Sequence, residues 1–295
     1  ALATDLATEK TRHQVVTMLY LMLLVGMVIG ALCFSLLLEP FSYFRLIQVI
    51  QGSALVVAGL NIVAMWQMEP RRPDLTSFEL SRPTFGQSWR ALSANPGAHR
   101  LLIAVALGTL GFSMQEILLE PYGAEVLAMS VGQTTRLTAI FAGGMLIAMA
   151  LSARYLGRAG EPIRLAAYGA VVGVFAFAAV IMAGAFDSLT LFAAGTLLIG
   201  IGNGLFAVGT LTAAMLLAGK ATAGLVIGTW GAVQAMAAGC AIFLGGALRD
   251  MTEALIHSGT ISQHLSGPAT PYGAVYHLEI IILFASLVAL GPLVR

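Results

Sequence analysis

The chain has 295 residues, of which 58% are hydrophobic and 10% charged, against roughly 25% charged in soluble domains. With a mean hydropathy of +0.89, this composition excludes a water-soluble globule and requires long apolar runs that cross a bilayer. A net charge of +1 supplies no basic field for nucleic acid. Two cysteines, Cys33 and Cys240, are too few for a disulfide framework or a thiolate metal site, and both read as small buried hydrophobes inside apolar runs.

The opening residues, ALATDLATEKTR, hold no initiating Met and no signal segment with a basic start. They read as the end of a preceding helix, so the chain is expected to begin partway through a longer protein. Eight apolar runs follow, at residues 15–38, 44–68, 99–127, 136–156, 163–186, 189–217, 219–248 and 275–294. Each approaches or exceeds the roughly 20 residues that cross a bilayer as helix. None shows the alternation of barrel strands, so the fold class is an all-α polytopic membrane protein. Glycine recurs within the runs, as Gly26 and Gly30, as Gly200, Gly202 and Gly204, and as Gly224 and Gly228, a spacing that lets helices pack closely in lipid. Residues 200–204 are read as helix packing rather than a phosphate loop, because no strand precedes them.

The connection at 69–98 is the longest on its side and carries Pro70, Pro73, Pro83 and Pro96. It divides the chain into residues 1–68, the last two spans of an N-terminal half, and residues 99–295, a C-terminal half of six spans. Within it Phe85, Trp89 and Leu92 fall at helical spacing, which suits either a short helix on the membrane surface or a plain solvated linker. Counting alternate connections, Lys10, Arg12, Arg71, Arg72, Arg82, Arg90, Arg100, Arg154, Arg158, Arg164, Lys220 and Arg295 share one side, and Arg45, Arg136 and Arg249 the other. The excess marks the first side as cytoplasmic, with both ends of this chain there.

Charges inside spans are costly and are functional candidates by default. Between Arg164 and Lys220 the only one is Asp187, so the later spans offer little lining for a polar substrate. The exception is the run at 99–127, whose outer half holds Gln115, Glu116, Glu120 and Tyr122. On one helix, Ser113, Glu116 and Glu120 would share a face, and Pro121 would kink it. Three roles fit this group: bonding a ligand's polar rim, coupling to protons, or locking helices together. Among five histidines, His277 is the best placed as a ligand, opening the last run beside Tyr276 with Glu279 near enough to orient it. His13 and His99 read as interfacial, while His257 and His264 lie in the outer connection at 249–273. No nucleophile elbow and no metal-ligand spacing occurs, so neither an enzyme nor a free metal site is expected.

Ala3, Thr4, Asp5, Leu6 and Ala7 with Glu9 and Arg12, followed by a glycine-containing span, resemble the cytoplasmic junction between the fourth and fifth helices of major facilitator superfamily proteins. That register makes the eight runs helices five to twelve of a probable twelve. Leu156, Gly157 and Arg158, followed by Gly169, are similar to a reduced form of the superfamily's basic loop. More narrowly, residues 111–132, GFSMQEILLEPYGAEVLAMSVG, together with ATDLATEKTR, resemble the PucC/LhaA family of purple phototrophic bacteria. The resemblance implies a factor that assembles light-harvesting antenna complexes in the bacterial inner (intracytoplasmic) membrane. It implies bacteriochlorophyll, and with it carotenoid, as pigments held or handed over. Its partners would be the antenna α and β polypeptides, the reaction centre, pigment-synthesis enzymes and membrane lipid. Gln115, Glu116, Glu120, Tyr122, His277 and Glu279 would touch pigment or partner, with His277 as the candidate axial ligand to pigment magnesium, or else oxygen donors such as Glu116, Glu120, Gln115 or water. The rival readings are a secondary transporter of a hydrophobic small molecule and a structural subunit of a photosynthetic complex.

Overall fold

The computed structural model describes residues 12–39, 42–66, 96–217, 223–259 and 267–294, with Gly86 and Arg90. Eight long helices account for most of these residues: α1 (Arg12–Leu37), α2 (Tyr43–Trp66), α3 (Pro96–Ser113), α5 (Val131–Gly157), α6 (Pro162–Ala185), α7 (Leu189–Leu217), α8 (Ala223–His257) and α9 (Thr270–Leu290). A short α4 (Leu119–Val126) follows α3 across a 3-10 turn, Met114–Ile117. Among the described residues, seven segments are long and apolar enough to cross a membrane, and in α1 the apolar part described is Leu24–Leu37.

Local chemistry sets several boundaries. Ser130 and Gln133 form a capping box at the start of α5, each side chain bonding the other's backbone N–H, which satisfies two donors left over at a helix start. That cap starts the helix five residues before the expected position 136. Pro162 and Pro271 sit in the first turns of α6 and α9, where a missing N–H costs nothing. Consequently α9 begins at Thr270 rather than 275, and His277 lies inside the helix rather than at its mouth. At its far end α8 runs on to His257, so Arg249, Asp250 and Glu253 belong to a helix and not to an outer connection. Phe85, Trp89, Leu92 and His264 lie outside the described residues.

The largest departure concerns the run at 99–127, which is two helices instead of one. Pro121 has no N–H for the Ile117 carbonyl and its ring crowds that group; Ile117 is where the 3-10 turn ends. Leu118 then bonds back to the Gln115 carbonyl at 3.0 Å, and Tyr122 to Leu118 at 2.9 Å. Ser113 is therefore buried while Glu116 and Glu120 are exposed; the Ser113 side chain still bonds Glu116, but Glu120 lies beyond the 3-10 turn on a separate helix.

Packing centres on α7, which lies between α5 and α6. A Cβ built on Gly202 would meet the Gly169 carbonyl at 2.8 Å and the Gly173 nitrogen at 3.0 Å on α6. One built on Gly204 would meet Ala148 of α5 at 2.6 Å, and one on Gly200 would strike the Phe141 carbonyl of the same helix. The glycines at 200–204 thus face two neighbours in turn, which confirms the packing reading. Gly26, Gly30, Gly224 and Gly228 meet nothing within 4 Å. An aromatic core of Phe112, Tyr122, Phe177, Phe192, Phe206, Tyr272 and Tyr276 joins α3, α4, α6, α7 and α9. On the other side α1 packs along α5, whereas no residue of α2 is buried. Cys33 and Cys240, expected inside, are exposed: in lipid an apolar residue is at home on either side of a helix, so hydrophobicity does not locate the core.

Candidate functional site

The break after α3 turns polar groups in two directions. Toward the protein interior, Gln115 is 2% exposed, and its backbone N–H donates to Glu279 Oε1 of α9 at 2.7 Å. Glu279 is itself fully buried, and its Oε2 and the Tyr276 hydroxyl, one turn earlier on α9, have no protein partner. The Gln115 side chain bonds back to the Phe112 carbonyl at 3.3 Å. Two glycines allow the close approach that this arrangement needs. Gly111 faces Leu283 and the Glu279 carbonyl of α9, and Gly245 of α8 faces the Met114 carbonyl, 2.9 Å from where its Cβ would be.

Away from the core, Gln115, Glu116 and Glu120 line a cavity of about 280 Å³ with Met27 of α1, Leu119, and Leu137, Thr138 and Phe141 of α5. Thr138 donates to Glu120 Oε1 at 2.9 Å, tying α4 to α5. Three aliphatic or thioether side chains and an aromatic ring wall the space, while oxygen acceptors of Gln115, Glu116, Glu120 and Thr138 complete the lining. Such a cavity receives an apolar body bearing a hydrogen-bond donor or a hard cation. It lies between α1, which precedes the linker, and helices that follow it.

Tyr122 takes no part in that edge. It is 1% exposed, its ring packs on Phe192, Tyr272 and Tyr276 at 5.3 to 5.5 Å, and its hydroxyl donates to the Val180 carbonyl at 3.3 Å. Neither does His277, whose exposed ring contacts the Gly273 carbonyl of its own helix at 2.6 Å. Residues two positions apart on a helix are separated by about 200° of rotation, so Glu279 faces α3 while His277 faces out, and the expected orienting contact does not form. His257 likewise pairs with its own helix at Glu253, and His99 is exposed. Among the described residues no group of three or more His, Cys, Asp or Glu is arranged to hold a metal ion.

Two polar clusters were not anticipated from sequence. At the end of α4, Glu125 accepts from Tyr272 at 2.5 Å and pairs with Arg249 at 3.3 Å. Arg249 also reaches Asp250 at 3.1 Å and Glu253 at 3.0 Å, with its guanidinium 5.2 Å from the Tyr272 ring centre. The i, i+4 spacing of Arg249 and Glu253 was the one legible signal. Arg249→Ala leaves three carboxylates without their shared cation and is expected to cost about 1–2 kcal/mol, read as a lower unfolding temperature in detergent; Glu253→Ala should cost under about 0.5 kcal/mol. The second cluster clamps α1 to α5. Ser35 donates to the Gly132 carbonyl at 2.7 Å and accepts from Arg136 at 2.9 Å, with Glu39 3.9 Å from the same arginine.

Known proteins fall into line with this architecture. A solved structure of a bacterial homologue of the human lysosomal transporter Spinster, inward-facing and unoccupied, superposes with a TM-score of 0.59. It is 17% identical, over 99% of this chain and 71% of that one; the likeness is one of fold, of the major facilitator type. An uncharacterized protein in the puhA-bchM intergenic region of Rhodobacter capsulatus is 46% identical over 296 residues, covering all of this chain and 62% of that protein. Protein PucC of Cereibacter sphaeroides is 45% identical over 295 residues, covering 63% of its length. The chain therefore spans a little under two thirds of these relatives. The protein-family model described as "PUCC protein" matches residues 1–295 without remainder, and the chain belongs to that family.

Proposed function

We propose that the protein helps to assemble light-harvesting antenna complexes in the photosynthetic membrane, holding bacteriochlorophyll and passing it to antenna polypeptides as they insert. The observation that carries this reading is the family match along the whole chain, strengthened by a relative from the puhA-bchM intergenic region. The excess of basic residues on one side, Arg100, Arg154, Arg158 and Arg164 among them, supports reading that side as cytoplasmic. We read the protein as non-enzymatic.

The cavity supports such a role in its chemistry. Magnesium prefers oxygen donors, and the acceptors at the cavity edge are oxygens of Gln115, Glu116 and Glu120. These residues, and not His277, would hold a magnesium pigment. At about 280 Å³ the space lies just under the roughly 300 to 1,000 Å³ of ligand sites, so it would take part of a pigment at its polar edge and leave the remainder to lipid. The protein's own contribution is apolar walls that shield the ring from water, with the oxygen edge fixing its orientation.

Purification of the full-length protein from pigment-producing cells under mild detergent should bring near-infrared absorbance with it. Glu116→Gln with Glu120→Gln should reduce the pigment recovered per protein. A pigment-free preparation that still carries antenna polypeptides would leave a protein chaperone and remove direct delivery. The position of the cavity between helices on either side of the linker favours one other reading, transport of a hydrophobic small molecule. That reading requires the same double substitution to abolish pH-driven uptake in proteoliposomes.

A further inference from the structure

We propose that Glu279 is a positioning residue which holds α3 broken at Gln115 and so aims the cavity carboxylates; the inference is independent of what the cavity holds. Gln115 N–H has two acceptors within its reach. In an uninterrupted helix it would bond the Gly111 carbonyl, four residues back, and α3 would continue through Met114. Here α3 stops at Ser113 and Glu279 Oε1, 164 residues away, takes the bond at 2.7 Å. A side chain thus competes with the helix for one backbone donor, and the winner decides the path of the chain.

The consequence for the cavity is geometric. A 3-10 residue turns the chain about 120° and advances it about 2.0 Å, against about 100° and 1.5 Å in an α-helix. Over the four residues Met114–Ile117 the difference amounts to about 80° of rotation and about 2 Å of rise. Returning this turn to α-helix would swing Glu120 away from Thr138, to which it is bonded at 2.9 Å. Pro121 confines the choice to this turn, since its missing N–H prevents the helix from running on unbroken in either case.

Stability alone does not account for a carboxyl group at this place. Glu279 is fully buried and has an oxygen without a protein partner, a costly arrangement that an apolar side chain of similar size would avoid. What Leu cannot supply is an acceptor for Gln115. Glycines at 111 and 245 keep room for α8 and α9 against the break, so the surrounding helices are shaped to the broken form.

The test uses the full-length protein in lipid nanodiscs, with every native cysteine, Cys33 and Cys240 included, replaced by Ala, and a short bifunctional thiol reagent. One pair, Glu120→Cys with Thr138→Cys, reports the aim of α4. A second, Ser35→Cys with Gly132→Cys, reports the α1–α5 contact, which does not pass through the break. Glu279→Leu is expected to lose the first crosslink and keep the second, while Glu279→Gln, which retains an acceptor oxygen, keeps both. A Glu279→Leu protein that still crosslinks 120 to 138 overturns the proposal. So does one that loses both pairs, which would make Glu279 a general stability residue, and so does failure of Gln to rescue.

Discussion

Gly202→Leu is expected to be the most damaging single substitution in the α5–α6–α7 unit, costing about 3 kcal/mol or more and leaving little protein that elutes as a sharp peak in detergent. A side chain at 202 pushes first against backbone, the Gly169 carbonyl and the Gly173 nitrogen of α6, and then against the Phe112 ring at 3.2 Å, and backbone cannot turn aside as a flexible side chain can. The close approach is mutual, because a Cβ on Gly169 would meet the Gly202 carbonyl at 2.6 Å. Lipid tails are as apolar as the helix surfaces, so helices associate through such close packing rather than through escape from water. The control lies one residue from a comparable contact. Gly144 faces the Leu197 carbonyl and the Ile201 nitrogen of α7, whereas nothing lies within 4 Å of a Cβ on Gly143. Gly143→Ala should therefore change the unfolding temperature little, or raise it through helix propensity, while Gly144→Ala lowers it. Equal effects at 143 and 144 would mean that α5 and α7 do not pack as described.

Removal of the Tyr122 ring is expected to have the second largest effect. Tyr122→Ala empties a space bounded by Phe192, Tyr272 and Tyr276, and large-to-small changes of this kind cost about 3 kcal/mol or more when neighbours cannot close in. Collapse is difficult because the bounding residues come from α7 and α9, each held by its own packing. Tyr122→Phe should cost less, about 1 to 2 kcal/mol, since what is lost is the hydroxyl's hydrogen bonding to α6 backbone at Val180 and Gly184. Unfolding of the two variants in one detergent separates ring from hydroxyl; equal losses would place the importance in the hydroxyl instead. The position matters for the cavity as well, because Tyr122 anchors the same short helix whose other face carries Glu120.

Much of this protein was readable before any tertiary contact was known. Eight runs of apolar residues correspond to eight long helices, since a bilayer leaves no alternative for a non-barrel chain but to satisfy its backbone within helices. The glycines at 200–204 announced close packing, and the acids of the run at 99–127 announced a polar site. Helix boundaries were less accurate. Residues 249–257 continue α8, and residues 270–274 begin α9, because caps and prolines rather than hydrophobicity end a helix at the membrane surface.

The site itself was half legible. Gln115, Glu116 and Glu120 do meet at one cavity, but through a broken helix rather than along a continuous face. His277 and Glu279 do not meet, and Tyr122 belongs to the aromatic core. Clusters around Arg249 and Ser35 escaped notice because each joins residues more than 95 positions apart, and the i, i+4 spacing of Arg249 and Glu253 marks only a local pair and not its distant partners.

Sequence alone determined that the chain is helical and membrane-spanning and that the run at 99–127 carries acids within a span, because those properties follow from composition and from the cost of charge in lipid; that the fully buried acid is Glu279 of α9 came only with the fold. Family resemblance was likewise carried by short runs of residues. Tertiary structure alone decided which side of each helix is inside, since an apolar solvent erases the contrast that marks a core in water. It also decided where α3 breaks: Gln115 has one backbone N–H and two possible acceptors, and the nearer one in sequence loses to a carboxyl group that only folding brings within 2.7 Å.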